Sequence, residues 1–369
     1  MNWYTIHDID QLDTPALVIY PARVKENIRR VLEMVDGDPA RLRPHIKTHK
    51  SPEATRLLLD AGIRAFKCAT IAEAEMLAIE GAPDVLLAYQ PLGPKLSRFV
   101  SLVKKYPATK FSCLLDDQAT GLTMGTVFST AGLEIPVYID LDLGMHRTGI
   151  APGPEAFQLY RTAARIKGIT PVGLHAYDGH IRDKDLAERK QKCDAAYAPV
   201  EKLRADLQQE GLPEPVIIAG GSPTFPIHSK RAGVLCSPGT FIYWDKGYSD
   251  SCPEQPFEPA ALVITRVISL PEAGKWCLDL GHKSIAAENE LSRRVTFLNG
   301  PELQPIGQSE EHLVVEAGPD HTRQIGEVLY GLPMHICPTV ALYERAITIE
   351  NGRITGEWKN TARDRKISI

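Results

Sequence analysis

The chain has 369 residues, with 42 lysines and arginines against 46 aspartates and glutamates and a formal net charge of −4. Without an excess of positive charge to neutralise phosphate backbones, nucleic acid and anionic membranes are poor partners, and small-molecule chemistry is the expectation. A hydrophobic content of 43% suffices for two domains, or for one barrel with an appendage.

No stretch offers the roughly 20 apolar residues that span a bilayer, and residues 1–8 lack the basic-then-apolar order of a secretory signal, so a cytoplasmic protein is expected. The cysteines (Cys68, Cys113, Cys193, Cys236, Cys252, Cys277, Cys337) show no CxxC pairing, which argues against a disulfide framework.

Residues 12–20 form an apolar run with a proline near its start, which suits a first or edge strand. Val24, Ile28, Val31, Leu32 and Val35 recur at helical spacing and predict a helix from Pro21 to about Val35. Short apolar runs follow at 42–47, 65–69, 85–89, 110–115, 137–140, 172–175, 216–219 and 234–236, and nearly every gap between them holds a helical pattern. Strands and helices alternating every 25 to 30 residues or so imply parallel strands joined by crossover helices. Eight such units predict a (β/α)8 TIM barrel over residues 21–245, with an open doubly wound sheet as the alternative. Beyond 245 the texture changes: 260–270, 275–280, 294–298, 312–316 and 346–350 read as strands separated by turns. A mostly-β domain over 246–369 is expected, joined by residues 1–20, because a strand that precedes a closed barrel finds no partner inside it.

Chemistry concentrates where these strands end. Arg43-Pro44-His45-Ile46-Lys47-Thr48-His49-Lys50 closes the first strand candidate just before a helix start at Ser51-Pro52-Glu53. Barrels place their chemistry at that edge, so Lys47 is a candidate imine-forming lysine; a solvated basic loop is the alternative. Gly220-Gly221-Ser222-Pro223-Thr224 and Ser237-Pro238-Gly239-Thr240 follow the last two strand candidates. Glycines admit an anion to the backbone N–H groups and the hydroxyls add donors, which together predict a phosphate site. Arg147, in Asp142-Leu143-Gly144-Met145-His146-Arg147-Thr148-Gly149, suits a phenolate-type oxygen or a carboxylate. His175, Tyr177 and His180 bring a phenol and two imidazoles to the end of the sixth strand candidate. A phosphate anchor, an imine partner and a group for a pyridine nitrogen are what pyridoxal phosphate requires.

On these motifs, together with Asp13-Thr14-Pro15, Gly281-His282-Lys283 and His335-Ile336-Cys337-Pro338-Thr339, the chain resembles the fold-type III pyridoxal-phosphate enzymes. These share an alanine racemase-like barrel and a β domain, and the similarity is greatest to the D-threonine aldolase and D-serine dehydratase group. The resemblance implies that Lys47 carries the cofactor as an imine, Arg147 faces its 3′-oxygen and Tyr177 is nearest the pyridine nitrogen. It assigns the phosphate to Gly221, Ser222, Thr224, Gly239 and Thr240.

His335 and Cys337, two residues apart, share one face of an extended segment. Imidazole and thiolate suit zinc but are an incomplete ligand set, and read alone the pair is a buried histidine and a structural cysteine. The resemblance implies a divalent metal (zinc, manganese or magnesium) at this position, beside the cofactor. Aldolase relatives can carry His-x-Asp there and the dehydratases carry His-x-Cys. The implied activity is metal-assisted retro-aldol cleavage of a D-β-hydroxy-α-amino acid to glycine and an aldehyde, with His180 as candidate base. The alternative is D-serine dehydratase-like elimination to pyruvate and ammonia; an amino-acid racemase and a non-catalytic pyridoxal-phosphate-binding protein rank below. Relatives of this kind imply a homodimer.

Overall fold

The computed structural model describes residues 2–318 and 324–369, and the chain divides into two compact units. One comprises Val31–Lys47, Thr55–Gly239 and Asp364–Ile369; the other comprises Met1–Arg30, Thr48–Ala54 and Thr240–Arg363. The first strand, β1 (Ala16–Ile19), belongs to the latter.

The former unit is built on seven parallel strands in sequence order. They are β2 (Ala65–Cys68), β3 (Asp84–Leu87), β4 (Lys110–Leu115), β5 (Ile135–Asp142), β6 (Ile169–Tyr177), β7 (Val216–Ala219) and β8 (Val234–Cys236). Their near-continuous apolar runs, such as Val85-Leu86-Leu87, are buried because crossover helices cover a parallel sheet. Three of those helices start on side-chain caps: Thr70 accepts from the Glu73 N–H, Asp117 from Thr120 and Asp185 from Glu188. Each cap satisfies an otherwise orphaned N–H and turns the chain back soon after a strand's carboxyl end.

Residues 42–47, expected as the first strand, form none. Pro44 has no N–H to place in a ladder, and the chain turns into a short 3-10 helix at Ile46–Thr48. Single bridges replace the ladder: Leu42 pairs with Cys236 and His45 with Lys67, both in the parallel sense. The Arg43 N–H donates to the Cys236 carbonyl at 2.8 Å and the Lys67 N–H to the Pro44 carbonyl at 2.9 Å. This segment therefore joins β8 to β2 and closes the ring as its eighth member. Arg43, buried, holds the rim with a bidentate pair to Asp84 at 2.8 Å.

In the other unit β1 pairs antiparallel with β9 (Ala261–Glu272). The remaining strands are β10 (Lys275–Leu278), β11 (Val295–Phe297), β12 (Gln304–Gln308), β13 (Leu313–Glu316), β14 (Val328–Pro333), β15 (Arg345–Glu350) and β16 (Arg353–Lys359). The order is β12-β13-β10-β9-β1-β15-β16, with β14 also on β9 and β11 on β14. Val18, Leu262, Ile264 and Ile349 form its core with Tyr20 and Tyr330. Strands β12, β14 and β16 were not expected: β12 and β14 each carry Gly and Pro, and β16 is mostly polar. β15 and β16 join through Asn351-Gly352, both at positive φ (51° and 71°), the dipeptide that matches a tight hairpin to strand twist. Among the described residues no helix is long and apolar enough to cross a membrane.

Candidate active site

The parallel unit holds a cavity of about 480 Å³ whose lining includes Lys47, Lys67, Asp140, Arg147, His175 and Tyr177. Strand alternation explains the set: His175 and Tyr177 are two apart on β6, and their register partners on β5 are Asp140 and Asp142, so one face turns all four the same way. Lys47 follows the bridging segment, and its backbone N–H donates to His45 Nδ1 at 3.2 Å.

Tyr177 is gripped on several sides. The Arg147 guanidinium lies 5.2 Å from its ring centroid and Lys67 Nζ 5.4 Å, both within cation–π reach. A Cβ at Gly179 would collide with the Tyr177 hydroxyl, and one at Gly221 would come within 2.9 Å of Cε2. The glycines of both loops are thus required by the phenol they enclose.

A buried chain of polar groups runs beneath. His175 Nδ1 is 2.6 Å from Asp140 Oδ1, and its Nε2 is 3.2 Å from Lys67 Nζ. Burial, followed by the charge of Lys47, pulls the Lys67 amine down to about 7; burial and Lys67 together lower His175.

The sequence-derived phosphate residues separate into two groups. Ser222 is buried in the loop after β7. The fully buried Thr224 donates its hydroxyl to Asp178 Oδ1 at 2.6 Å and accepts the Gly221 N–H at 3.3 Å. Asp178 also binds His228 Nε2 at 2.8 Å, and Cys193 Sγ lies 3.3 Å from the same nitrogen. These ligand-type atoms of Asp178, Cys193 and His228 fall within 4.8 Å of one another, close enough to hold a metal ion. As they stand the first and last are hydrogen bonded, closer than the ~3.3 Å that two ligands of a tetrahedral zinc keep. Gly239 ends the long segment of the parallel unit, and Thr240 starts the short 3-10 helix Thr240–Ile242 in the other. His180 is exposed and lines a separate depression with Arg182, Asp183 and Lys192.

In the β unit, His335 and Cys337 do not share an extended segment, as their spacing suggested. His335 is the N-cap of a helix, Ile336–Leu342, and Cys337 sits in its first turn. The pair still meets: His335, whose backbone is extended (φ −136°, ψ 105°), shares a side-chain hydrogen bond with Cys337. His335 Nδ1 is 2.6 Å from Glu288 Oε1, and Cys337 Sγ is 3.1 Å from the Thr48 hydroxyl and 3.6 Å from that of Thr240. Burial lowers the imidazole's proton affinity, but Cys337, Asp245 and Glu288 outweigh it and hold His335 at about 9. Burial pushes the Asp245 carboxyl up to about 6 although it accepts the Ile336 and Tyr248 N–H groups. A thiol, an imidazole and flanking carboxylates are a donor set that fits a borderline divalent cation, with Glu288 on Nδ1 directing the other ring nitrogen.

The family model for the alanine racemase N-terminal domain matches residues 19–247, more than half of the chain. The chain belongs to that family. A second family model, for a serine dehydratase domain, matches residues 260–349. Similar proteins include D-threonine aldolase of Arthrobacter sp., 27% identical over 360 residues that cover 96% of this chain and 93% of the relative. D-threo-3-hydroxyaspartate dehydratase of Delftia sp. is 26% identical, covering 90% of this chain and 93% of the relative. The crystal structure of D-threonine aldolase from Filomicrobium marinum superposes with a TM-score of 0.89 at 26% identity, covering 98% of both chains.

In this alanine racemase-family chain the groups that sequence reading passed over are Lys67, Asp140, Asp178, His228 and Glu288. For Lys67 a signal existed. A lysine between Phe66 and Cys68 in a short parallel strand has no solvent to face, and lysine is almost never fully buried unless paired.

Proposed function

We propose that this protein is a pyridoxal-phosphate- and divalent-metal-dependent lyase acting on D-β-hydroxy-α-amino acids, cleaving Cα–Cβ to yield glycine and an aldehyde. The observation that carries this reading is that Lys47, Arg147 and Tyr177, chosen from separate motifs, line one cavity. An amine, a guanidinium and a phenol fit the aldehyde, 3′-oxygen and pyridine edge of pyridoxal phosphate. When bound, that cofactor supplies an electron sink at Cα, and a divalent ion supplies a Lewis acid for the substrate hydroxyl.

The chain's own contributions are binding and orientation. Lys47 would present its amine to the cofactor's aldehyde. Arg147, 5.2 Å from the centre of the Tyr177 ring, would bring a fixed cation to the cofactor's 3′-oxygen. Gly221 and Ser222 present the loop after β7 to the phosphate, while Thr224 stiffens that loop from beneath through Asp178. Gly239 and Thr240 follow β8 as the second phosphate segment. His335 and Cys337 would hold the metal, with Glu288 fixing the imidazole.

Water elimination is the second reading. Cys337 favours it, since the His-x-Cys pattern resembles the dehydratases, and so does the serine dehydratase model over 260–349. Product analysis of holoenzyme with D-threonine, D-serine and D-threo-3-hydroxyaspartate separates the two. Glycine with an aldehyde or oxo acid supports cleavage, and ammonia with an oxo acid supports elimination. Inversion of configuration alone would replace both with a racemase.

A further inference from the structure

The Asp140–His175 contact assigns the ring proton to Nδ1 and leaves Nε2 an acceptor for Lys67. The three residues are 5%, 5% and 3% exposed. Burying a lysine costs several kcal/mol unless a partner compensates, and here the amine rests on an imidazole kept neutral by its surroundings. Positive charge faces it from Lys47 and Arg43, negative charge from Asp140 and Asp178, and the Tyr177 ring lies alongside. Nothing in such a setting is gained for stability over an apolar residue, yet Lys67 shares the lining of the cavity with Lys47.

We propose that Lys67 is a proton-exchanging residue of this cavity, with His175 and Asp140 as its positioning pair, an inference that rests on the cofactor assignment made above. An O–H or N–H bond of the bound molecule breaks, its proton forms the third N–H bond of Lys67, and the amine becomes positive as the donor atom becomes one unit more negative, so the net charge of the cavity is unchanged; the reverse transfer restores the neutral amine. An amine lowered to about 7 holds both forms at neutral pH, which is what such exchange demands.

The test is the visible band of the pyridoxal-phosphate holoenzyme followed from pH 5.5 to 9, with steady-state kinetics alongside. The wild-type band should titrate near pH 7. Lys67→Met should keep the band and lose that transition, with kcat reduced by about 10²-fold or more and KM changed less than about threefold. Lys67→Arg should restore the charge but not the transition. Asp140→Asn removes a negative charge that favours the ammonium, so the transition should move to lower pH; this variant decides the matter if Lys67→Met does not fold. An unchanged transition in Lys67→Met, or one unmoved in Asp140→Asn, overturns the proposal. A wild-type protein that forms no band at all overturns the cofactor assignment and this proposal with it.

Discussion

Thr224 donates its hydroxyl proton to Asp178 across 2.6 Å, and both side chains are buried. Thr224, expected among the phosphate residues, thus also fastens the loop that would meet the phosphate. Thr224→Val should cost about 1–3 kcal/mol by leaving Asp178 short of a donor, and Thr224→Ser should preserve stability. Asp178→Ala, which strands His228 and Thr224, should cost about 3–5 kcal/mol. Urea titration measures both losses. Burial opposes ionisation of Asp178, yet the hydrogen bonds from His228 and Thr224 prevail and hold its carboxyl below the usual range. Its stabilising contribution is therefore complete above about pH 4 and lost as pH falls below that.

His49 carries a pH dependence of a different kind. Burial lowers its imidazole to about 3, so between its ordinary value near 6.5 and 3 the unfolded chain binds a proton that the folded chain refuses. Stability should be full above about pH 6.5 and decline on acidification toward 3. His49→Asn should flatten the urea midpoint across that window; an equally steep profile in the variant would assign the acid sensitivity elsewhere.

Borohydride reduction of the holoenzyme followed by peptide mapping should place the pyridoxyl group on Lys47. Label on Lys50 would remove the assignment. Label on Lys67, the other amine of the cavity, would exchange the roles of the two lysines.

Chelation should abolish turnover while leaving the visible band, because Lys47 belongs to neither the His335 nor the Cys337 donor group. Glu288→Gln should weaken zinc binding by about tenfold or more, measured by equilibrium dialysis. Cys337→Asp should shift preference from zinc toward manganese. Since His335 holds its proton to about 9, that proton competes with the metal, and affinity should climb with pH up to that value.

The sequence by itself determined the alternating strands and helices, the β-rich second part and the placement of Tyr177 at a strand end and of Arg147 in the loop that follows one. Those features depend on neighbours in the chain: periodicity, Pro and Gly positions, and the direction in which a parallel strand delivers its loop. Tertiary structure alone decided the rest. Pro44 breaks the ladder of the first strand, yet Leu42 and His45 close the ring because β8 and β2 come to either side of them. Lys67 reads as an ordinary strand lysine until His175, 108 residues on, meets its amine in a dry setting. That Thr224 fastens its own loop shows only where Asp178, 46 residues earlier, accepts its proton. In each case the hydrogen-bond partners are set by residues remote in sequence, so even where the local pattern marks Lys67 as buried it does not say what meets it.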